Sequence, residues 1–297
     1  MKNKLKTMFK YVKAVLTPVL GLIAIEILIT IIALNLNGLY LQGAYFYLRS
    51  VGKEMNWMDL LSIPFLENNI DVLNVATYVV CIGAFVIWYR KLTEKSMIGQ
   101  LKKIGSVKKI VLIAIVSIGS WLLVSGALSL FFEKFKNLAD NYESWIDGIF
   151  TGSPLVNLLA AVIFAPLMEE LVFRGVTLTR ARKIMPFAVA NVIQALLFGI
   201  IHINIIQGIY AFAFGLILGY IAYKFKSIWA SILMHFIFNG LSSIAGFIPI
   251  LMPDTIREYL IFAILGAVVL VAALFAVRNI GKEDILPKTL DKEETVE

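Results

Sequence analysis

From Ala14 to Val277 the chain is a succession of apolar runs of bilayer-crossing length, separated by short polar connectors. A helix needs about 20 apolar residues to cross a hydrocarbon core about 30 Å thick, and in lipid every backbone N–H and C=O must be satisfied within a helix or a closed barrel. These runs are continuous rather than alternating, which selects helices. Eight spans are expected: about 14–36, 75–89 and 110–132, one from Leu155, one from Phe187 to near His202, then 206–223, 228–248 and 259–277. With 60% hydrophobic and 16% charged residues, the composition excludes a soluble domain. The expected fold is an all-α polytopic membrane protein of about eight transmembrane helices.

The formal charge of +7 is explained by topology rather than by nucleic-acid binding. Of the 27 basic residues, 21 fall in the amino end, in the 90–109, 180–183 and 224–226 connectors and in the carboxyl tail. Five fall in the alternate connectors, and Arg174 is left inside a span. This alternation puts both termini in the cytoplasm. Residues 37–72 and 133–154 read as outer loops, and the mixed-charge tail Arg278–Glu297 as disordered. No short apolar core with a small-residue cleavage site opens the chain, so the first run reads as a retained span. Three regions follow: 1–150 as an N-terminal three-span part, 151–250 as the core, and 251–297 as the last span and tail. Cys81 reads as a small buried hydrophobe, and Glu26 as a lone intramembrane acid with a structural role facing other helices.

The core region carries charge where charge is costly. Ala165-Pro166-Leu167-Met168-Glu169-Glu170-Leu171-Val172-Phe173-Arg174 puts two carboxylates and a guanidinium into membrane interior, at roughly 2.5–3.5 kcal/mol for each centred charge on insertion scales. Glu170 and Arg174, four apart, share a helix face and can neutralise each other. Glu169 is rotated from Glu170 by about 100° and is the freer acid. The only two histidines of the chain, His202 and His235, also lie in apolar runs, and His235 shares a face with Asn239. Such a set can hydrolyse a peptide bond in the membrane. Glu169 would activate a water, His202 would hold it or protonate the leaving amine, and His235 with Asn239 would stabilise the oxyanion. The same groups leave a second chemistry open, because Glu169, His202 and His235 make a plausible zinc set, although His-Glu-x-x-His is absent.

Glu-Glu-x-x-x-Arg at Glu169, Glu170 and Arg174, Phe-x-x-x-His at Phe198 and His202, and His-x-x-x-Asn at His235 and Asn239 resemble three motifs, in order, of the CAAX-processing and bacteriocin-processing (CPBP, or Abi) intramembrane protease family. The resemblance covers about Leu155 to Gly240. It implies an eight-helix, glutamate-dependent endopeptidase of the type II CAAX-prenyl protease kind in a bacterial plasma membrane. The site would open to the cytoplasm and act without a required cofactor on a membrane-associated or prenylated peptide. By the same resemblance Glu169 and His202 activate the water, His235 and Asn239 form the oxyanion hole, Glu170 and Arg174 support the site, and Phe198 packs. Bacteriocin maturation and self-immunity are further implied roles.

One geometric condition attaches to a shared site. If the fifth span entered the bilayer at Phe187, His202 would lie about 22 Å along it, close to the outer face and away from Glu169. The two meet only if the fourth and fifth helices project into the cytoplasm around Arg180 to Asn191. Two rival readings use the same fold: a non-enzymatic immunity or scaffold protein, and a transporter whose buried charges carry ions. The lack of internal repeats and of paired interrupted spans counts against transport.

Overall fold

The computed structural model describes residues 2–52, 69–94, 96–149, 152–248 and 252–280. The described residues are helical throughout, with no strand. In chain order the helices are α1 (Lys2–Ser50), α2 (Ile70–Thr93), the short α3 (Met97–Leu101), α4 (Val107–Lys134), α5 (Lys136–Ile149), α6 (Pro154–Ala181), α7 (Phe187–Ile200), α8 (Ile205–Phe225), α9 (Ile228–Phe247) and α10 (Ile256–Arg278). Seven are long and apolar enough to cross a membrane, and α7 is an eighth, shorter apolar helix of 14 residues. Cys81 is a fully buried free thiol.

Two expected loops are partly helix. Residues 37–50 continue α1, whose apolar and aromatic side chains give the ladder no stop signal before Gly52, where φ is +73°. The connector after α4 folds as α5, with Ala139, Tyr142, Trp145 and Ile146 turned inward and acids and lysines on the other face. The rest of the first expected outer loop, 53–68, and the expected disordered tail from 281 lie outside the described residues.

Basic side chains gather several helix ends on one face by donating to C-terminal carbonyls. Lys183 reaches Leu92 O at 3.3 Å, Lys103 reaches Lys226 O at 3.2 Å, and Lys224 reaches Arg278 O at 2.8 Å. The near end of α1 joins them through a proline. Pro18 has no N–H to offer Ala14 O, and Arg180 Nε takes that carbonyl instead at 3.0 Å. Lys13 and Arg278 therefore lie on the same face, as an even number of crossings requires.

Helix length sets the register of α6 against α7. α6 runs 28 residues, about 42 Å, and continues about 18 Å beyond Glu169 to Ala181. α7 then returns antiparallel, and Phe198 lies about 17 Å from its start at Phe187. Ala181 and Leu178 pack against Ala190, and Phe173 meets Phe198 edge to face at 5.2 Å. α8 pairs with α7 along its whole length, from Gly208 against Gly199 to Tyr223 stacked on Phe187 at 4.1 Å.

On the other side of the core, α4 and α10 approach at glycines. A Cβ on Gly119 would stand 2.8 Å from Leu270 N, and Cβ atoms on Gly126 and Gly266 would collide with the backbones of Ala263 and Leu123. Small residues permit this contact where the hydrophobic effect between helices is absent. Gly126→Leu or Gly266→Leu is expected to lower stability by about 1–3 kcal/mol or more, read as earlier thermal unfolding in detergent than for Gly246→Leu, where a Cβ would meet nothing.

Candidate active site

The site is built on α6, which is not a uniform α-helix. Two wide, π-type turns, Ala160–Phe164 and Leu171–Thr177, flank the α-helical Ala165–Glu170. Such turns recur at functional sites, and here the first has a cause in sequence. Pro166 cannot donate, and its ring would press on the carbonyl one turn back. The helix widens before it, so that Ala165 N–H bonds Ala160 O. Ala161 O is then passed over, because its α-helical donor is diverted and the next residue in line is Pro166. Asn239 Nδ2 donates to that carbonyl at 2.8 Å, tying α9 to α6.

Glu170 and Arg174 form the enclosed half of the site. Both side chains are fully buried, and Arg174 Nη1 donates to Glu170 Oε1 at 2.8 Å. The same oxygen receives His235 Nδ1–H at 2.9 Å. Arg174 lies over the Phe198 ring at 4.3 Å, and its Nη2 donates to Gly215 O at 3.2 Å. The guanidinium thus has a carboxylate, an aromatic face and a carbonyl in place of water. Such partners offset part of the cost of burying the ion pair, while Arg174 Nε and Glu170 Oε2 are buried without a hydrogen bond.

Glu169 points elsewhere. Its side chain keeps 15% of its exposure, and among the described residues no lysine or arginine pairs with it. His235 Nε2 faces its Oε2 at 3.7 Å, so one imidazole stands between the two carboxylates. Phe198 and Phe214 hold that imidazole edge to face, at 5.9 and 5.4 Å. The other imidazole, His202, packs on the same Phe198 ring at 4.9 Å, and its Nδ1 lies 2.7 Å from Phe198 O. A carbonyl only accepts, so Nδ1 carries the proton and Nε2 is the acceptor of the neutral ring. His202 makes no direct polar contact with Glu169. His202 lies in the turn after α7, just before Ile203 takes φ +60° and Asn204 caps α8.

Phe198 thus joins all three motifs, touching Arg174, His235 and His202. The set named for zinc, Glu169, His202 and His235, does not converge as ligands. Among the described residues no three His, Cys, Asp or Glu side chains are grouped closely enough to hold a metal ion. Glu26 lies nearer the site than its isolation in sequence suggested, within electrostatic range of Glu169, as are Tyr78 and Tyr210. The Arg180–Ala14 bond fixes that depth: Glu26 is twelve residues along α1 from Ala14, and Glu169 is eleven residues back along α6 from Arg180.

Residues 151–241 match the family described as Rce1-like, type II CAAX prenyl endopeptidase. The matched segment is less than a third of the chain. It holds all seven motif residues and both wide turns. The chain is also similar to the protein named "Putative membrane peptidase YdiL" of Bacillus subtilis (strain 168), with 22% identity over 46% of this chain and 53% of that one. It is 32% identical to an "Uncharacterized 24.3 kDa protein" of Escherichia coli over 43% of this chain and 56% of that protein. The chain thus spans about half the length of these relatives. No solved structure matches it.

Pro166 gives the Asn239 contact a direct test. Asn239→Leu leaves Ala161 O buried without a partner, which is expected to cost about 1–3 kcal/mol. Pro166→Ala restores an N–H to the ladder, so the same Asn239→Leu change is expected to cost measurably less in that background, in a double-mutant cycle on thermal unfolding in detergent.

Proposed function

We propose that the chain is an intramembrane endopeptidase in which Glu169 activates a water for attack on a peptide bond of a membrane-associated substrate. One observation carries this reading: the two neighbouring carboxylates have been given different environments. Glu170 is fully buried and its Oε1 is engaged by both Arg174 and His235, whereas Glu169 is partly open and pairs with no lysine or arginine among the described residues. A partly open carboxylate can meet a water, which its fully buried neighbour cannot.

In the proposed reaction Glu169 accepts a proton from water while the oxygen adds to the carbonyl carbon. The acceptor Nε2 of His202 holds the water or relays its proton to the leaving amine. The oxyanion is met by His235 and by the amide hydrogen of Asn239 that does not serve Ala161 O. With Nδ1 donating to Glu170, His235 donates through Nε2 only as an imidazolium, whose charge then faces a carboxylate on each side. No step is routed through a metal. A prenylated or otherwise membrane-anchored peptide is the substrate class that suits a site on buried helices and the family resemblance of residues 151–241. The basic face marks the cytoplasmic side in this proposal, with the site entered from there.

Purified protein in detergent, given a farnesylated CAAX-type peptide, is expected to release the terminal tripeptide. Glu169→Gln and His202→Ala are each expected to reduce the rate by at least about 100-fold, with wild type insensitive to chelator. Wild-type activity in folded Glu169→Gln protein would sink the proposal. Loss of wild-type activity on chelation that returns with zinc would overturn the metal-free step.

A further inference from the structure

Asn191, Gln194 and Phe198, spaced by three and four residues, line one face of α7, and His202 follows four residues later in the turn after the helix. The last two belong to the motifs. The first two do not, yet both are buried, Gln194 completely and Asn191 to 7% exposure. Polar side chains are costly inside a membrane protein unless they find partners, and here only the Nε2 end of Gln194 is bonded, Oε1 being buried without a partner. Asn191 Nδ2 donates to Leu216 O at 3.0 Å, and Gln194 Nε2 donates to Asn191 Oδ1 at 2.9 Å and to Gly215 O at 3.0 Å.

Gly215 O is also the acceptor for Arg174 Nη2, at 3.2 Å. One backbone carbonyl of α8 therefore holds an amide from α7 and a guanidinium from α6. From it the contacts run through Arg174 to Glu170 and through Glu170 to His235, with no bond longer than 3.2 Å. Two glycines of α8 make room. A Cβ at 219 would collide with Asn191 Oδ1 and lie 2.8 Å from Gln194 Nε2, and one at 215 would stand 3.2 Å from Arg174 Nη2 and 3.1 Å from the Phe198 ring. The spacing Asn191-x-x-Gln194 opposite Gly215-x-x-x-Gly219 is thus a matched pair of surfaces.

We propose that Gln194, backed by Asn191, is a positioning residue of the site. By fixing α7 to Gly215 it seats Phe198 under Arg174 and holds the guanidinium in the one pose that presents Glu170 Oε1 to His235. Its effect on catalysis rests on the peptidase reading, but its effect on His235 does not. Arg174 alone can still reach Gly215 O when Gln194 is lost. It then lacks the neighbour that sets the α7–α8 separation, and small displacements at such supporting contacts are costly in rate.

The chain has two histidines, so ring nitrogen NMR of 15N-histidine-labelled protein in detergent gives two resolvable sets of signals, assigned by His202→Gln. In wild type, His235 is expected to show a single hydrogen-bonded Nδ1–H form. Gln194→Met, which keeps the side-chain length, and Asn191→Leu are each expected to shift and broaden the His235 signals. His202, anchored on Phe198 O, is expected to keep its own. In cleavage assays both variants are expected to lose about tenfold or more in kcat with little change in KM. Unchanged His235 signals in whichever variant folds would overturn the proposal. Failure of both to accumulate folded would also overturn it, by making the network a folding element. Wild-type protein with no peptidase activity would remove the functional reading and leave the His235 signals to decide the network.

Discussion

A guanidinium enclosed by apolar helices, with no water to turn to, fixes its surroundings more tightly than any apolar contact does. Arg174 is such a group. Its carboxylate partner comes from its own helix, its aromatic support from Phe198 on α7 and its carbonyl acceptor from Gly215 on α8. His235 on α9 then completes Glu170. Four helices are registered on one ion pair, because removing any partner leaves a buried charge or dipole unmet, at about 3–5 kcal/mol when a buried pair is broken. The pair commits Arg174 to Glu170, so that Glu169 beside it pairs with no lysine or arginine among the described residues.

Two prolines do a related job with backbone carbonyls. Pro18 leaves Ala14 O without its helical donor, and Arg180 takes it; Pro166 leaves Ala161 O without one, and Asn239 takes it. In each case a missing N–H in one helix becomes a docking point for a polar side chain from a distant helix. Within lipid this is an economical way to make a helix contact directional, since an unmet carbonyl costs far more there than at a wet surface.

The sequence made the outline of the site legible because charge in an apolar run is rare enough to be read singly. Glu169, Glu170, Arg174, His202 and His235 were visible for that reason, and the four-residue spacing of Glu170 and Arg174 translated directly into a 2.8 Å pair. The spans were legible from run length, and the basic clusters correctly grouped the helix ends on one face. Where signals were ambiguous the outline blurred. Residues 37–50 pass for a loop because Gly38 and Gly43 precede a mixed-charge stretch, and 136–149 because they are rich in charge, yet both are helical. Glu26 looked isolated because its neighbour lies more than a hundred residues away, and only the Arg180–Ala14 contact reveals their common depth. Gln194 and Asn191 were overlooked because an uncharged amide in an apolar run reads as tolerable rather than as purposeful. The wide turn could have been anticipated, since Pro166 sits three residues before Glu169 in the middle of a span.

The packing of α1 is uneven along its length. Between Ala14 and Glu26 it buries Val15, Val19 and Leu22 and is held by Arg180, but beyond Glu26 only Ala33 and Leu41 are buried. The helix that brings a carboxylate up to Glu169 is therefore riveted on one side of that level and nearly loose on the other. A seam of this kind parts with the least loss of contact on its far side, so any motion of α1 against the bundle begins beyond Glu26 rather than at the Arg180 end.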